Sequence, residues 1–258
     1  MHGLIPGAPD VDLTFADVDV TNTAAERGEF DLVKVSYAAL PWLLDKYELL
    51  PCGGALGRGC GPLVLAREKR DDRDLTGATV AVPGDRTTAY LLFRLWSADR
   101  PPARVEVVPF DRIMPGVADG TYDAGLVIHE ARFTYPRYDL KARADLGEWW
   151  EGDTGLPIPL GAILAKRGTV DPERATRWIR SSVQYAHAHP DASRDYVRTH
   201  AQEMEQDVAD GHIALYVNEF TTDLGAEGRK AVATLLDRAA DQGLTPQVSS
   251  SRATAWTS

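Results

Sequence analysis

His129-Glu130 follows directly on a short apolar run, residues 125–128, whose length and β-branched content suit a buried strand. In an open α/β sheet, ligands bind in the crevice at the carboxyl ends of the strands. An imidazole at that point, with Arg132, Tyr135 and Arg137 just beyond it, reads as a base with anion-binding and aromatic groups nearby. A loop histidine satisfied by ordinary hydrogen bonds is the competing reading, and position alone leaves both open. His129-Glu130 also opens an HExxH-like pattern, but Phe133 stands where the second histidine would be, so the zinc reading fails.

Two other segments could supply polar groups to a ligand. Lys34-Val35-Ser36 closes an apolar run, with Ser36 able both to cap a following helix and to face a carboxylate. Asp85-Arg86-Thr87-Thr88-Ala89 links a strand to a helix and puts two hydroxyls and free N–H groups at the helix start, a ready anion site. Capping explains one of the threonines but not both with Arg86 beside them. The glycine-rich loop at residues 53–62 matches neither GxGxxG nor a P-loop; Arg58 is its only charged group. Its glycines serve either tight turns or a close approach to a ligand. Lys34, Arg58, Arg86, Arg132 and Arg137 are all candidate partners for a substrate carboxylate. His187, His189, His200 and His212 fall on C-terminal helical sequence, where solvated or packed roles are expected. Asp145-Leu146-Gly147-Glu148-Trp149-Trp150 reads as a lid or a hydrophobic anchor, the anchor being favoured.

These groups need elements to hold them. The pattern alternates strands (residues 31–35, 63–67, 78–83, 105–109, 124–128 and 156–166) with helices (37–47, 88–97, 112–118 and 145–151). Residues 11–15 (VDLTF) read as a strand too. From Asp171-Pro172, a helix start with an N-cap and a first-turn proline, the chain reads as almost wholly helical to Gly243, broken near His189-Pro190 and Gly225. The Ser/Thr-rich tail from Val248 reads as disordered. The strands 63–67 and 158–166 bracket the middle βα units, which predicts an α/β protein of two lobes with a ligand cleft between them. The first lobe is expected to comprise residues 1–70 and 165–258, the second residues 71–164.

At 258 residues and a net charge of −10, the chain is ordinary in apolar content but too acidic for non-specific nucleic-acid binding. A small anionic substrate needs only a few local cations. No stretch reaches the roughly 18 apolar residues of a membrane span. Cys52 and Cys60 fit no zinc or CxxC spacing, and a reduced cytoplasmic protein is the default. A homodimer is left open.

The segments AGLVIHEARFTYPRY, DLGEWWEGDTGLPIPLGAI, KVSYAAL, GGALGRGCGPLVLA and VAVPGDRTTAYLL together resemble the 1,4-dihydroxy-6-naphthoate synthases of the futalosine route to menaquinone. The resemblance runs from about residue 2 to residue 243. It implies a fold similar to type II periplasmic binding proteins, and cytoplasmic lyases that turn cyclic de-hypoxanthinyl futalosine into 1,4-dihydroxy-6-naphthoate without redox cofactor or metal. By resemblance His129 matches the family's proton acceptor, and Lys34-Val35-Ser36 and Thr88-Ala89 match its substrate-contacting segments, with Thr87 adjacent. Glu130, Arg58, Arg86 and Arg132 are further candidates. Family members usually begin with a strand and a Ser-Pro-Cys-Pro-Asn-Asp-like loop that this sequence lacks, so a form extended upstream is expected to be the more stable and active. Chorismate dehydratase of the same pathway, or a non-catalytic solute-binding protein, are the alternatives.

Overall fold

The computed structural model describes residues 3–68, 74–129, 131–200 and 206–248. Helix α1 (Val18–Arg27) ends at Gly28, whose φ of 73° is the left-handed cap that glycine adopts without a Cβ clash. Strand β1 (Leu32–Ser36) follows, then a 3-10 turn at Tyr37–Ala39, the short α2 (Leu40–Leu43), β2 (Tyr47–Leu49) and β3 (Ala55–Gly57). The next stretch alternates β4 (Leu63–Ala66), β5 (Thr79–Val82), α3 (Thr88–Trp96), β6 (Arg104–Val107), α4 (Phe110–Ala118), β7 (Ala124–Val127), α5 (Ala131–Thr134), β8 (Lys141–Asp145) and α6 (Leu146–Thr154). The long β9 (Ile158–Lys166) leads into α7 (Pro172–Ala188), α8 (Arg194–His200), α9 (Gln206–Tyr216), α10 (Glu219–Thr222) and α11 (Gly225–Asp241).

The strands form two sheets. In the first, β9 pairs antiparallel with β1, β2 and β3, and β1 lies at its edge. The second runs β6-β5-β7-β4-β8; β5 is parallel to β6 and β7, and β4 is antiparallel to β7 and β8. Strands β4, β5 and β7 are near-continuous apolar runs because both of their faces are covered. Gly125 lets α4 lie close on β7, since a Cβ there would meet Ile113 Cγ2 at 2.6 Å. One core spans both sheets, joining Val33, Val35 and Leu164 of the first to Val64, Val80 and Leu126 of the second. Trp150 is fully buried in that core and its indole N–H donates to the Pro157 carbonyl at 3.0 Å, so this tryptophan is an anchor.

Several sequence expectations need correction. Residues 11–15 belong to neither sheet; Val11 and Leu13 each stay 47 % exposed, because alternation alone makes no strand without a ladder partner. The helix expected over 37–47 breaks after Leu43, and Tyr47 turns into β2, where its hydroxyl donates to the Phe30 carbonyl. The chain changes sheets before β4 and again before β9, not near residues 70 and 164: Leu63–Ala66 pairs inside the second sheet, and the whole of β9 centres the first. The C-terminal third is helical, with Asp171 capping α7 through the Glu173 and Arg174 amides. The helical run breaks near Gly225 as expected, between the end of α10 at Thr222 and the start of α11 at Gly225. The tail from residue 249 lies outside the described residues.

Candidate active site

A cleft of about 590 Å³ opens where the carboxyl ends of β1 and β7 face the N-terminus of α3. Lys34, Ser36, Thr87, Thr88, Ala89 and His129 all line it, together with Cys60, Gly161 and Tyr216. Segments spaced far apart in sequence thus line one cleft. Val35 is wholly buried in the core, so its side chain is not part of the wall. Glu130 lies outside the described residues.

Local structure explains how each group is set. The Ser36 amide donates to Asn22 Oδ1 at 2.8 Å, and Asn22 Nδ2 donates to Ser36 Oγ at 3.2 Å and to the Arg86 carbonyl at 3.3 Å. Asn22 is buried on α1, so one amide side chain braces both polar corners of the cleft. Ser36 makes no side-chain cap to the following turn, which settles its role away from capping. Thr87 is the N-cap of α3: its Oγ1 accepts from the Tyr90 amide at 3.2 Å and donates to the Gly84 carbonyl at 3.0 Å. Thr88 Oγ1 donates to the Leu160 carbonyl at 2.8 Å and accepts from the Ala38 amide at 3.2 Å. Both threonine hydroxyls are therefore engaged in holding the fold. What α3 presents to the cleft is its first-turn backbone, whose amides have no intrahelical acceptor and sit at the positive end of the helix dipole.

His129 stands at the end of β7 with φ of 56°, in the left-handed region that histidine visits more often than most residues but still at a cost. Its ring lies 6.2 Å from Phe110, 6.0 Å from His212 and 6.4 Å from Tyr216, centroid to centroid. His129 and Lys34 keep accessible surface inside the cleft, yet protein mass surrounds both. That burial, then the neighbouring His212 and Lys34, pushes His129 down to about 4. Burial likewise lowers Lys34, and burial with Lys34 lowers His212. At neutral pH the His129 imidazole is thus unprotonated and able to accept a proton. Cys60 is a free thiol on the cleft wall, pushed up to about 12 by burial and so protonated; Cys52 is also free and buried.

The remaining cation candidates are turned to structural work. Arg58 donates to Glu227 at 2.8 Å and to the Gly155 carbonyl at 3.0 Å, tying the glycine-rich loop to α6 and α11. Arg86 pairs with Glu26 and lies over the Trp42 ring at 4.6 Å. Arg132 pairs with Asp145 at 2.5 Å and donates to the Gly61 carbonyl at 3.0 Å. Arg137 sits on the 3-10 turn Tyr135–Tyr138, away from the cleft wall. In the glycine-rich loop, Gly61 serves close approach of backbone to backbone: a Cβ there would come within 2.1 Å of the Gly147 amide nitrogen.

Asn22, Phe110, His212 and Tyr216 were not foreseen as site residues. Only the last pair carries a sequence signal: spaced by four on one helix, they share a face. Among the described residues no group of three His, Cys, Asp or Glu side chains gathers to hold a metal ion, and no helix is long and apolar enough to cross a membrane.

Two sheets around a cleft lined by both a strand-end histidine and a helix N-terminus define an α/β protein of the periplasmic-binding-protein type. The fold matches that of a Candida albicans protein described as exhibiting the generic periplasmic binding protein structural fold, with a TM-score of 0.65 at 11% identity over 90% of this chain and 79% of the other. It is also similar to protein AF1704 from Archaeoglobus fulgidus, with a TM-score of 0.87 and 32% identity over 94% of this chain and 90% of that one. The model of the menaquinone biosynthesis family matches residues 1–241, and the chain belongs to that family. It is 61% identical over 250 residues to the 1,4-dihydroxy-6-naphthoate synthase of Streptomyces coelicolor, covering 95% of this chain and 88% of the relative. With the enzyme of the same name from Thermus thermophilus the identity is 47% over 246 residues, covering 95% and 89%.

Proposed function

We propose that the protein is a cytoplasmic carbon–carbon lyase that converts cyclic de-hypoxanthinyl futalosine to 1,4-dihydroxy-6-naphthoate, with His129 as general base. The observation that carries this reading is the unprotonated imidazole of His129 in the same cleft as Lys34, Ser36 and the α3 N-terminus. The names of the 61% and 47% identical relatives give the same product.

Lys34 is the substrate-carboxylate partner in this scheme, because Arg58, Arg86 and Arg132 are held by carboxylates elsewhere. His129 takes a proton from the cyclic substrate. Negative charge that develops on the substrate is held by the Ser36 hydroxyl and by the first-turn amides of Thr88 and Ala89, since the hydroxyls of Thr87 and Thr88 are already bonded within the fold. The carbon–carbon bond to the sugar-derived fragment then breaks, and aromatisation of the bicycle makes the step downhill. A carboxylate bound at Lys34 offsets the ammonium and raises His129 from its ligand-free value toward the working pH.

The test is turnover of cyclic de-hypoxanthinyl futalosine, read by formation of the naphthoate chromophore, in the wild type and His129→Asn. Asparagine tolerates the left-handed backbone, so the fold is kept. The expected result is loss of turnover with substrate affinity within about threefold. Retained turnover removes His129 as the base. Turnover of chorismate in place of the cyclic substrate gives the reaction to the dehydratase reading, and tight binding without turnover of either gives it to a solute-binding role.

A further inference from the structure

Helix α9 brings a second imidazole to His129. His212 and Tyr216 stand one turn apart on α9, with ring centroids 4.5 Å apart and planes tilted by 38°. Both approach the ring of His129, at 6.0 Å and 6.4 Å, while Phe110 from α4 meets it edge-on at 6.2 Å. The backbone of His129 does not by itself fix the ring, for the residue lies just past the paired part of β7 in a left-handed conformation. Neighbouring rings must do so. Tyr216 is in turn anchored, since its hydroxyl donates to the Cys60 carbonyl at 3.3 Å, on the loop that leads into β4. His212 therefore rests on a fixed ring on one side and meets His129 on the other.

We infer that His212 is a positioning residue for His129: its ring, braced by Tyr216, holds the His129 imidazole aimed into the cleft. The inference rests on the reading of His129 as the base. Tilted rings at these separations give dispersion and edge contacts, which any aromatic ring of similar size supplies. A six-membered ring in place of His212 keeps that support, and a methyl group does not.

Three measurements on the full chain decide the matter. Nuclear Overhauser contacts between the ring protons of His129 and His212 in the wild-type protein are expected; without them the inference falls. His212→Ala is expected to lower kcat by roughly 10- to 100-fold with KM within about threefold, as for a misplaced reacting group, and to shift the ring resonances of His129. His212→Phe is expected to recover kcat to within about fivefold of wild type and to return those resonances toward their wild-type positions. Equal impairment in His212→Phe and His212→Ala overturns positioning by ring contact, as does unchanged kcat in His212→Ala. If the wild type itself does not turn over the cyclic substrate, the reaction reading fails, and the ring resonances of His129 in the two variants still decide whether His212 positions it.

Discussion

A lysine lining the cleft bears on the charge of the histidine that lines it too. Lys34 is one cause of the lowered proton affinity of His129, after the surrounding protein mass and His212, while both groups keep surface open to the cleft. Replacing Lys34 by Met removes a charged hydrogen bond to the substrate carboxylate, a contact worth about 1.5–3 kcal/mol. The expected outcome is a KM raised by roughly 10- to 100-fold. The same change takes a positive charge away from His129, so the acid limb of kcat/KM against pH should move upward from about 4. A Lys34→Met enzyme with wild-type KM and an unmoved acid limb removes Lys34 from the binding site.

At the level of elements, the cleft depends on two contacts between segments distant in sequence. Asn22 on α1 pairs with the Ser36 amide and the Arg86 carbonyl, so it joins β1 to the loop before α3. Asn22→Ala leaves a buried amide without its acceptor, at a cost of about 1–3 kcal/mol. Urea unfolding should show a lower midpoint with an unchanged slope, and KM should rise because Ser36 loses its brace. At the turn between β3 and β4, Gly61 packs against the first turn of α6. Gly61→Ala would place a methyl group on the Gly147 backbone and must push the two segments apart, costing about 1–3 kcal/mol as overpacking does. A Gly61→Ala protein as resistant to urea as the wild type contradicts that geometry.

Over the whole molecule, the imidazoles crowded by protein at the cleft make the fold sensitive to acid. The native pKa of His129 is about 4, below its ordinary 6.5, and that of His212 is also lowered. Between those two values the unfolded chain binds more protons at His129 than the folded one. Its contribution to stability is therefore complete above pH 6.5 and is lost as the pH falls toward 4. Melting temperatures measured from pH 8 to pH 4 should decline below about 6.5, and His129→Asn should decline less steeply. Parallel curves for the two proteins rule out His129 as a source of the acid sensitivity.

Much of the site was legible in the chain itself. The runs at 79–82, 124–127 and 158–166 are apolar enough to be strands anywhere, and Asp171-Pro172 starts a helix by local chemistry alone. With the strands placed, the rule that ligands sit at their carboxyl ends brings Lys34, Ser36 and His129 to one side. Residues 11–15 show the limit: the alternation VDLTF is intrinsic, but a strand exists only if another edge pairs with it. Sheet membership of 63–66 was likewise undecidable, because an apolar tetrapeptide does not name its partner. Five cations were equivalent in sequence. Only the tertiary structure placed carboxylates against Arg58, Arg86 and Arg132, set Arg137 outside the cleft lining and left Lys34 in it. The same holds for Asn22, His212 and Tyr216, whose roles exist only through contacts with segments more than ten residues away. Residue types and spacing determined what chemistry was on offer. Long-range packing decided which groups meet, because a side chain's charge state and partners follow from what surrounds it in space.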